Sequence, residues 1–180
     1  VEVPADFSTY LNVSKEVRRI YEDYTERIEA YGIDECWLDV TSGIKLFGGG
    51  REIAERIKER IKNEIGLTVS IGVSWNKIFA KLGSDMKKPD AVTEITSDNY
   101  KDKVWTLPVE DLLYVGSATK RKLNRIGIKT IGQLAQTDEK ILTDLLGKWG
   151  SYIHTFANGK DESPVLTVNE EEAIKSIGNS

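Results

Sequence analysis

The sequence has 180 residues, 39% hydrophobic and 30% charged, the profile of a water-soluble globular chain large enough for one ordinary domain or two small ones. No apolar run approaches the roughly 18 residues needed to cross a bilayer, and Glu2, Asp6, Glu16 and Arg18 break up any leader-like stretch at the start. A single cysteine, Cys36, and a single histidine, His154, exclude an internal disulfide and a zinc site of soft ligands, fit a reducing cytoplasm, and leave any catalytic metal to carboxylates. The chain begins with Val1 and has its sole methionine at Met86, which suggests a segment of a longer protein.

In chain order, residues 12–29 place Val13, Val17, Ile20, Tyr21, Tyr24 and Ile28 on one stripe, which predicts an amphipathic helix. Residues 31–33 and 36–40 are short apolar segments around Asp34-Glu35 and predict two strands joined by a tight turn. After Gly48-Gly49-Gly50, residues 51–65 predict a second helix with Ile53, Ala54, Ile57, Ile61 and Ile65 inward. A strand over 67–73, a short helix over 77–84 and a strand over 91–95 follow. Beyond Pro108 no strand pattern appears before the tail. Short helical pieces succeed one another near 99–105, 109–113, 117–125, 130–135, 138–146 and 149–157, punctuated by Gly127 and Gly132. The pattern predicts an α+β class: a mixed sheet with helices on one face, then a small all-helical domain. A boundary near residue 106 divides residues 1–106 from 107–160, with an exposed linker from 161.

Charge is spread unevenly. Residues 1–40 hold 10 acids against 4 bases, whereas residues 115–160 hold 8 bases against 3 acids. An acidic first part and a basic third part fit a protein that holds metal in one place and a polyanion in another, although a basic helical face is also often just solvated.

Three stretches carry candidate chemistry. Asp34 and Glu35 sit together at the bend between two apolar segments. A turn can bring both to one hard cation such as Mg²⁺, which keeps several waters and binds one or two carboxylates plus substrate phosphates. On spacing alone an exposed surface turn is the commoner reading, and Asp39 reads either as a further ligand or as a strand-end acid. In the second stretch Lys77, Lys81, Ser84 and Lys88 recur at three to four residues before Pro89. A lysine ahead of proline is held in extended backbone and can aim its ammonium at a phosphate; a basic surface helix ending at proline is the plainer reading. The third stretch runs from Val115-Gly116 through Ala118, Thr119 and Lys120 to Gly127-Ile128 and Thr130. Its small-residue turn opens one helix and Gly127 turns the chain into another, a helix-hairpin-helix pattern that grips sugar-phosphate backbone without reading bases. The competing reading is a helical hairpin that only fills a core with Leu123, Ile126, Ile128 and Leu134.

Taken in order, these stretches resemble the Y-family (translesion) DNA polymerases, nearest the bacterial UmuC-like and DNA polymerase IV-like members. The resemblance rests on Gly32-Ile33-Asp34-Glu35 with Trp37-Leu38-Asp39-Val40-Thr41, then on Ser70 through Ser74-Trp75-Asn76-Lys77, Lys81, Ser84-Asp85 and Lys88-Pro89. It continues through the Val115–Ile128 hairpin and ends at Lys175-Ser176-Ile177-Gly178. It implies two-metal phosphoryl transfer with Mg²⁺. Asp34 and Glu35 are then metal-binding and catalytic, Lys88 contacts the incoming deoxynucleoside triphosphate, and Val115, Gly116, Ala118, Thr119 and Lys120 hold primer–template DNA. Residues 1–106 become a partial palm, 107–160 the thumb, and 161–180 the connection to a little-finger domain.

The resemblance also implies departures. The family's N-terminal strand with a further metal-binding aspartate, its fingers segment and its little finger have no counterpart here, Gly32 replaces a serine, and Tyr114 stands where the hairpin usually has glycine. The expectation is therefore an error-prone, cytoplasmic DNA polymerase whose 180-residue segment is inactive alone, with a sliding-clamp contact outside it. A catalytically inactive DNA-binding scaffold of the same fold is the main alternative. A nuclease or cyclase with a similar palm would need no helix-hairpin-helix.

Overall fold

The structure, a computed structural model, describes residues 4–167. Within them the chain divides into two units, one formed by the segment up to Val69 together with that from Pro164, the other by Ser70–Ser163. Lys175-Ser176-Ile177-Gly178 lies outside the described residues.

In the first unit, helix α1 spans Phe7–Glu22. It starts five residues earlier than the apolar stripe predicts because Asp6 caps it, accepting from the backbone N–H groups of Ser8 (3.1 Å) and Thr9 (3.2 Å). Hydrogen bonds from the Ser8 and Thr9 hydroxyls help hold the Asp6 carboxyl down at about 2. The helix ends at Glu22, so Tyr24 and Ile28 leave the helical stripe while staying buried. Strand β1, Ile28–Ala30, pairs antiparallel with β2, Cys36–Leu38, in the register Ile28–Leu38, Glu29–Trp37 and Ala30–Cys36. The first strand thus precedes residues 31–33, which the sequence reading assigned to it, and the two-residue turn becomes a five-residue loop. A short helix α2, Ile44–Phe47, leads into α3, Gly50–Glu64. Helix α3 buries Ile53, Ala54, Ile57 and Ile61 as the periodicity predicts and packs against α1. Burial of such side chains stabilises by about 1.5–3 kcal/mol each.

The segment from Pro164 returns to β1, where Arg27 Nη1 donates to the Val165 carbonyl (3.3 Å) and the Leu166 N–H donates to Glu29 (2.8 Å). These two contacts pin residues that read in sequence as an exposed linker.

The second unit opens with a strand–helix–strand crossover. Strand β3, Ile71–Val73, pairs in parallel with β4, Val92–Glu94, and α4, Lys77–Met86, connects them. Helix α4 presses onto β3 so closely that a Cβ on Gly72 would lie 1.8 Å from the Ala80 carbonyl oxygen; only glycine permits that approach. Among the described residues the strands therefore form one antiparallel and one parallel pair.

Five further helices follow: α5 Tyr100–Val104, α6 Ser117–Arg125, α7 Ile131–Gln136, α8 Glu139–Leu146 and α9 Lys148–Ala157. A 3₁₀ turn at Val109–Asp111 lies between α5 and α6. Each falls within one or two residues of its predicted place. Their apolar faces share one core with α4, in which Phe79, Val104, Val109, Leu123, Ile131, Leu134, Leu142 and Ile153 are fully enclosed. Thr130 caps α7 with a reciprocal capping box to Gln133. The Ile131 N–H reaches the Leu107 carbonyl (3.0 Å) and that of Gly132 the Trp105 carbonyl (3.0 Å), locking the α6–α7 pair to the α5 exit.

Candidate functional site

The Asp34-Glu35 pair sits at the end of the loop between β1 and β2, in the first unit. The loop is closed by the Tyr31 N–H donating to the Glu35 carbonyl (2.9 Å). Two residues one turn apart on α1 then hold its crown: the Ser14 hydroxyl donates to the Ile33 carbonyl, and Arg18 Nη2 to the Gly32 carbonyl (3.2 Å). With its carbonyls occupied, the loop presents Asp34 exposed and Glu35 half-buried. Ser14 and Arg18 are the positioning residues that sequence reading missed. A Cβ on Gly32 would meet only Asp34 Oδ1 at 3.7 Å, an ordinary contact, so a serine would fit there.

Asp39 has a local partner. Its Oδ1 accepts from the Thr41 N–H (3.0 Å), and hydrogen bonding from Thr41 keeps the carboxyl below its ordinary value against partial burial. The bond lies at the entry to the 3₁₀ turn Thr41–Gly43. Among the described residues no three His, Cys, Asp or Glu side chains gather into a metal-holding group. Asp34 and Glu35 offer the hard oxygen donors that suit Mg²⁺, as part of a ligand set.

Lys88 lies in the second unit, two residues beyond α4. Its ammonium is exposed and pairs with Asp85 Oδ1 (2.7 Å). Lys81, one turn earlier, bonds the other oxygen of the same carboxylate (2.5 Å). Two lysines of the predicted row, Lys81 and Lys88, thus share one acid.

The third stretch is also in the second unit. Val115 is buried, while Gly116, Ser117 and Ala118 are exposed and Thr119 and Lys120 half-exposed. Gly116 caps α6 with no side-chain hydrogen bond, and the ladder begins only at the Lys120 N–H, which reaches the Gly116 carbonyl (2.9 Å). The N–H groups of 117–119 therefore open outward beside a clear glycine with nothing within 4 Å of a Cβ position. The Lys120 ammonium is held by Glu110 (2.5 Å) from the 3₁₀ turn, and this contact keeps the Glu110 carboxyl low. At the other end of α6, Gly127 (φ 87°) reverses the chain toward α7. Tyr114 takes φ 72°, the left-handed conformation that a glycine would adopt freely.

The acidic loop thus falls in one unit, and the lysine row and hairpin in the other. The Leu67–Val73 segment supplies only the short β3, and the strand reading of 91–95 narrows to β4.

Residues 1–85 match the IMS (impB/mucB/samB) family model. Among solved structures, the DinB protein of Sulfolobus solfataricus superposes with a TM-score of 0.82 at 30% identity, covering 92% of this chain and 49% of that one. An insertion ternary complex of Dbh DNA polymerase gives a TM-score of 0.83 at 30% identity, over 92% of this chain and 48% of that one. In sequence and fold these residues are similar to Y-family DNA polymerases. Within that family the chain is similar throughout its length to DNA polymerase IV. It is 58% identical to the DNA polymerase IV of Acetivibrio thermocellus over 180 residues, all of this chain and 45% of that protein. It is 46% identical to that of Clostridium kluyveri over 178 residues, 99% of this chain and 44% of that protein. The chain spans a little under half the length of these relatives.

Proposed function

We propose that these residues form part of the palm and the thumb of an error-prone DNA polymerase that extends a primer opposite damaged template. The observation that carries this reading is the loop between β1 and β2. It is tied by Ser14 and Arg18 so that Asp34 and Glu35 stand together at its end, in a chain 58% identical to a DNA polymerase IV along its whole length.

In this reading Asp34 and Glu35 hold Mg²⁺, which when bound lowers the pKa of the primer 3′-hydroxyl and offsets charge on the α-phosphate. The chain's own residues do the rest. Ser14 and Arg18 hold the loop so that the carboxylates need no reorganisation on loading. Lys88, steadied by Asp85, offers a point charge to the triphosphate of the incoming deoxynucleotide. The open N–H groups of 117–119, with Lys120, grip a phosphate of the primer–template duplex, positioning DNA without reading its sequence. The palm and thumb are assigned to residues 1–106 and 107–160, with 161–180 leading to a little finger. A sliding-clamp contact belongs to parts of the polymerase outside these residues, and the protein acts in the cytoplasm.

Because a complete ligand set and fingers are expected to lie outside these residues, the 180-residue chain alone is inactive in this reading. The test is primer extension with Mg²⁺ by the full-length polymerase carrying this segment, against its Asp34→Ala/Glu35→Ala variant. Loss of extension with retained DNA binding supports the assignment. Equal extension by both overturns it. Binding without extension by the unaltered full-length protein would instead favour a DNA-binding scaffold.

A further inference from the structure

Helix α9 carries two distinct apolar stripes. Gly150, Ile153 and Ala157 face the core and are buried, whereas Trp149, Tyr152 and Phe156 form a second row at i, i+3 and i+7. Trp149 is 38% and Tyr152 53% exposed. Tyr114 joins them from outside the helix: its ring centroid lies 5.9 Å from that of Trp149 and 6.1 Å from that of Phe156, and Trp149 lies 5.8 Å from Tyr152. Tyr114 is itself 46% exposed. The result is a contiguous aromatic surface open to solvent, of the kind that marks an interaction site.

Two features show that this surface is held at a cost to the fold. Tyr114 occupies a left-handed backbone conformation (φ 72°) that disfavours a bulky side chain. Three large rings remain in water where the core on the other face of α9 is already filled.

The stretch that carries the rings is basic in sequence. Tyr114 lies just ahead of the α6 start and Trp149 in the first turn of α9. Helix α6 begins at Gly116 without a side-chain cap, which leaves its partial positive end two residues after Tyr114; Gly147, at the start of α9, also closes α8. Lys148 is exposed beside Trp149. Of the acids in this part of the chain, Glu110 pairs with Lys120 and Glu139 accepts from the Ser151 hydroxyl, while Asp111 is exposed. The surrounding stretch 115–160 has 8 bases against 3 acids. Aromatic faces within a basic setting suit a nucleic-acid strand, whose bases or sugars lie on the rings while its phosphates meet the charges.

We propose that Tyr114, Trp149 and Tyr152 form a stacking surface for a DNA strand, a second contact beyond the phosphate grip of the α6 start; the proposal rests on the thumb reading. The rings contribute stacking, so their loss weakens binding without altering its dependence on salt. Lys148 contributes a phosphate contact, so its loss flattens that dependence.

The test is fluorescence anisotropy of a labelled primer–template duplex with an unpaired overhang, titrated with the 180-residue chain across a series of KCl concentrations. Tyr152→Ala removes an exposed ring and is expected to melt with the wild type. Tyr114→Gly removes a ring while relieving the left-handed backbone, so it too keeps the fold. Each is expected to weaken binding by about tenfold with the wild-type salt slope, whereas Lys148→Gln lowers the slope by about one. Wild-type affinity in both aromatic variants, with salt-dependent binding by the wild type, overturns the stacking surface and leaves the thumb reading standing. No duplex binding by the wild type at any salt overturns both. Concentration-dependent self-association abolished by Tyr152→Ala, with DNA affinity unchanged, also overturns the proposal and makes the surface an interface between copies.

Discussion

Asp85 accepts hydrogen bonds from two lysines at once, with Lys81 Nζ 2.5 Å from its Oδ2 and Lys88 Nζ 2.7 Å from its Oδ1. The arrangement joins the last turn of α4 to the residue just before Pro89. Partial burial works against the Asp85 charge, but the bonds from Lys81 and Lys88 outweigh it and leave the carboxyl below its ordinary value.

A carboxyl depressed in the folded state contributes stability that is present above its unfolded pKa, about 3.9, and is lost as pH falls through the folded value. Because all three groups are partly exposed, solvent screening limits the contribution to roughly 1 kcal/mol or less. Asp85→Asn is expected to melt slightly below the wild type at neutral pH. The difference should close once the medium is acidic enough to protonate Asp85, as thermal melts across pH will show.

Asp111 has the opposite sign. Partial burial, with Glu110 and Asp85 nearby, pushes its carboxyl above the ordinary range. The folded state then binds this proton more readily than the unfolded state, so the group's charge opposes folding at neutral pH and ceases to do so in acid. Asp111→Asn is expected to raise the melting temperature at pH 7 and to match the wild type below the unfolded pKa of about 3.9. A variant that melts lower than the wild type at neutral pH would contradict this account.

Glu110 holds the Lys120 ammonium at 2.5 Å beside the open start of α6. A DNA phosphate at that start has to take the lysine from the carboxylate and leave a bare acid next to the DNA. Glu110→Gln is therefore expected to tighten duplex binding at low salt and to steepen the salt dependence by about one counterion. Neutralising Asp144, which pairs with Lys140 on α8, is the control that measures net charge alone. Equal effects from the two substitutions would dismiss a special role for Glu110.

Two glycines are expected to behave differently. Gly72→Ala drives a methyl to 1.8 Å from the Ala80 carbonyl and 2.6 Å from the Ser84 nitrogen, both rigid backbone atoms. The β3–α4 contact must open, at about 3 kcal/mol or more. Gly32→Ser places its Cβ at 3.7 Å from a side-chain oxygen and meets nothing closer, so it should fall within about 0.5 kcal/mol of the wild type. Urea denaturation of both variants checks the pair.

The helices from α3 onward were legible because each buries a regular stripe between clear punctuation, as with Ile53, Ala54, Ile57 and Ile61 after three glycines or Leu142 between Asp138 and Gly147. The start of α1 was not, since its first residues, Phe7, Tyr10 and Leu11, are exposed and Asp6 rather than an apolar period sets the boundary. Strand β1 was misplaced because its three residues continue the spacing of the preceding helix through Ile28. At the acidic loop, Asp34-Glu35 stood out as a dipeptide at a bend. The Ser14 and Arg18 tethers did not, because a side chain reaching a carbonyl 14 or 19 residues away leaves no periodic trace. The capture of Lys88 and Lys120 by Asp85 and Glu110 likewise depends on how turns pack against helices.

The most direct test of the central claim is primer extension by the full-length polymerase bearing these residues, compared with Asp34→Ala/Glu35→Ala in the presence of Mg²⁺. If the loop carries the metals, extension disappears in the double variant while the duplex is still bound with the wild-type salt dependence. Undiminished extension by the double variant would show that the metals are held elsewhere and would contradict the account.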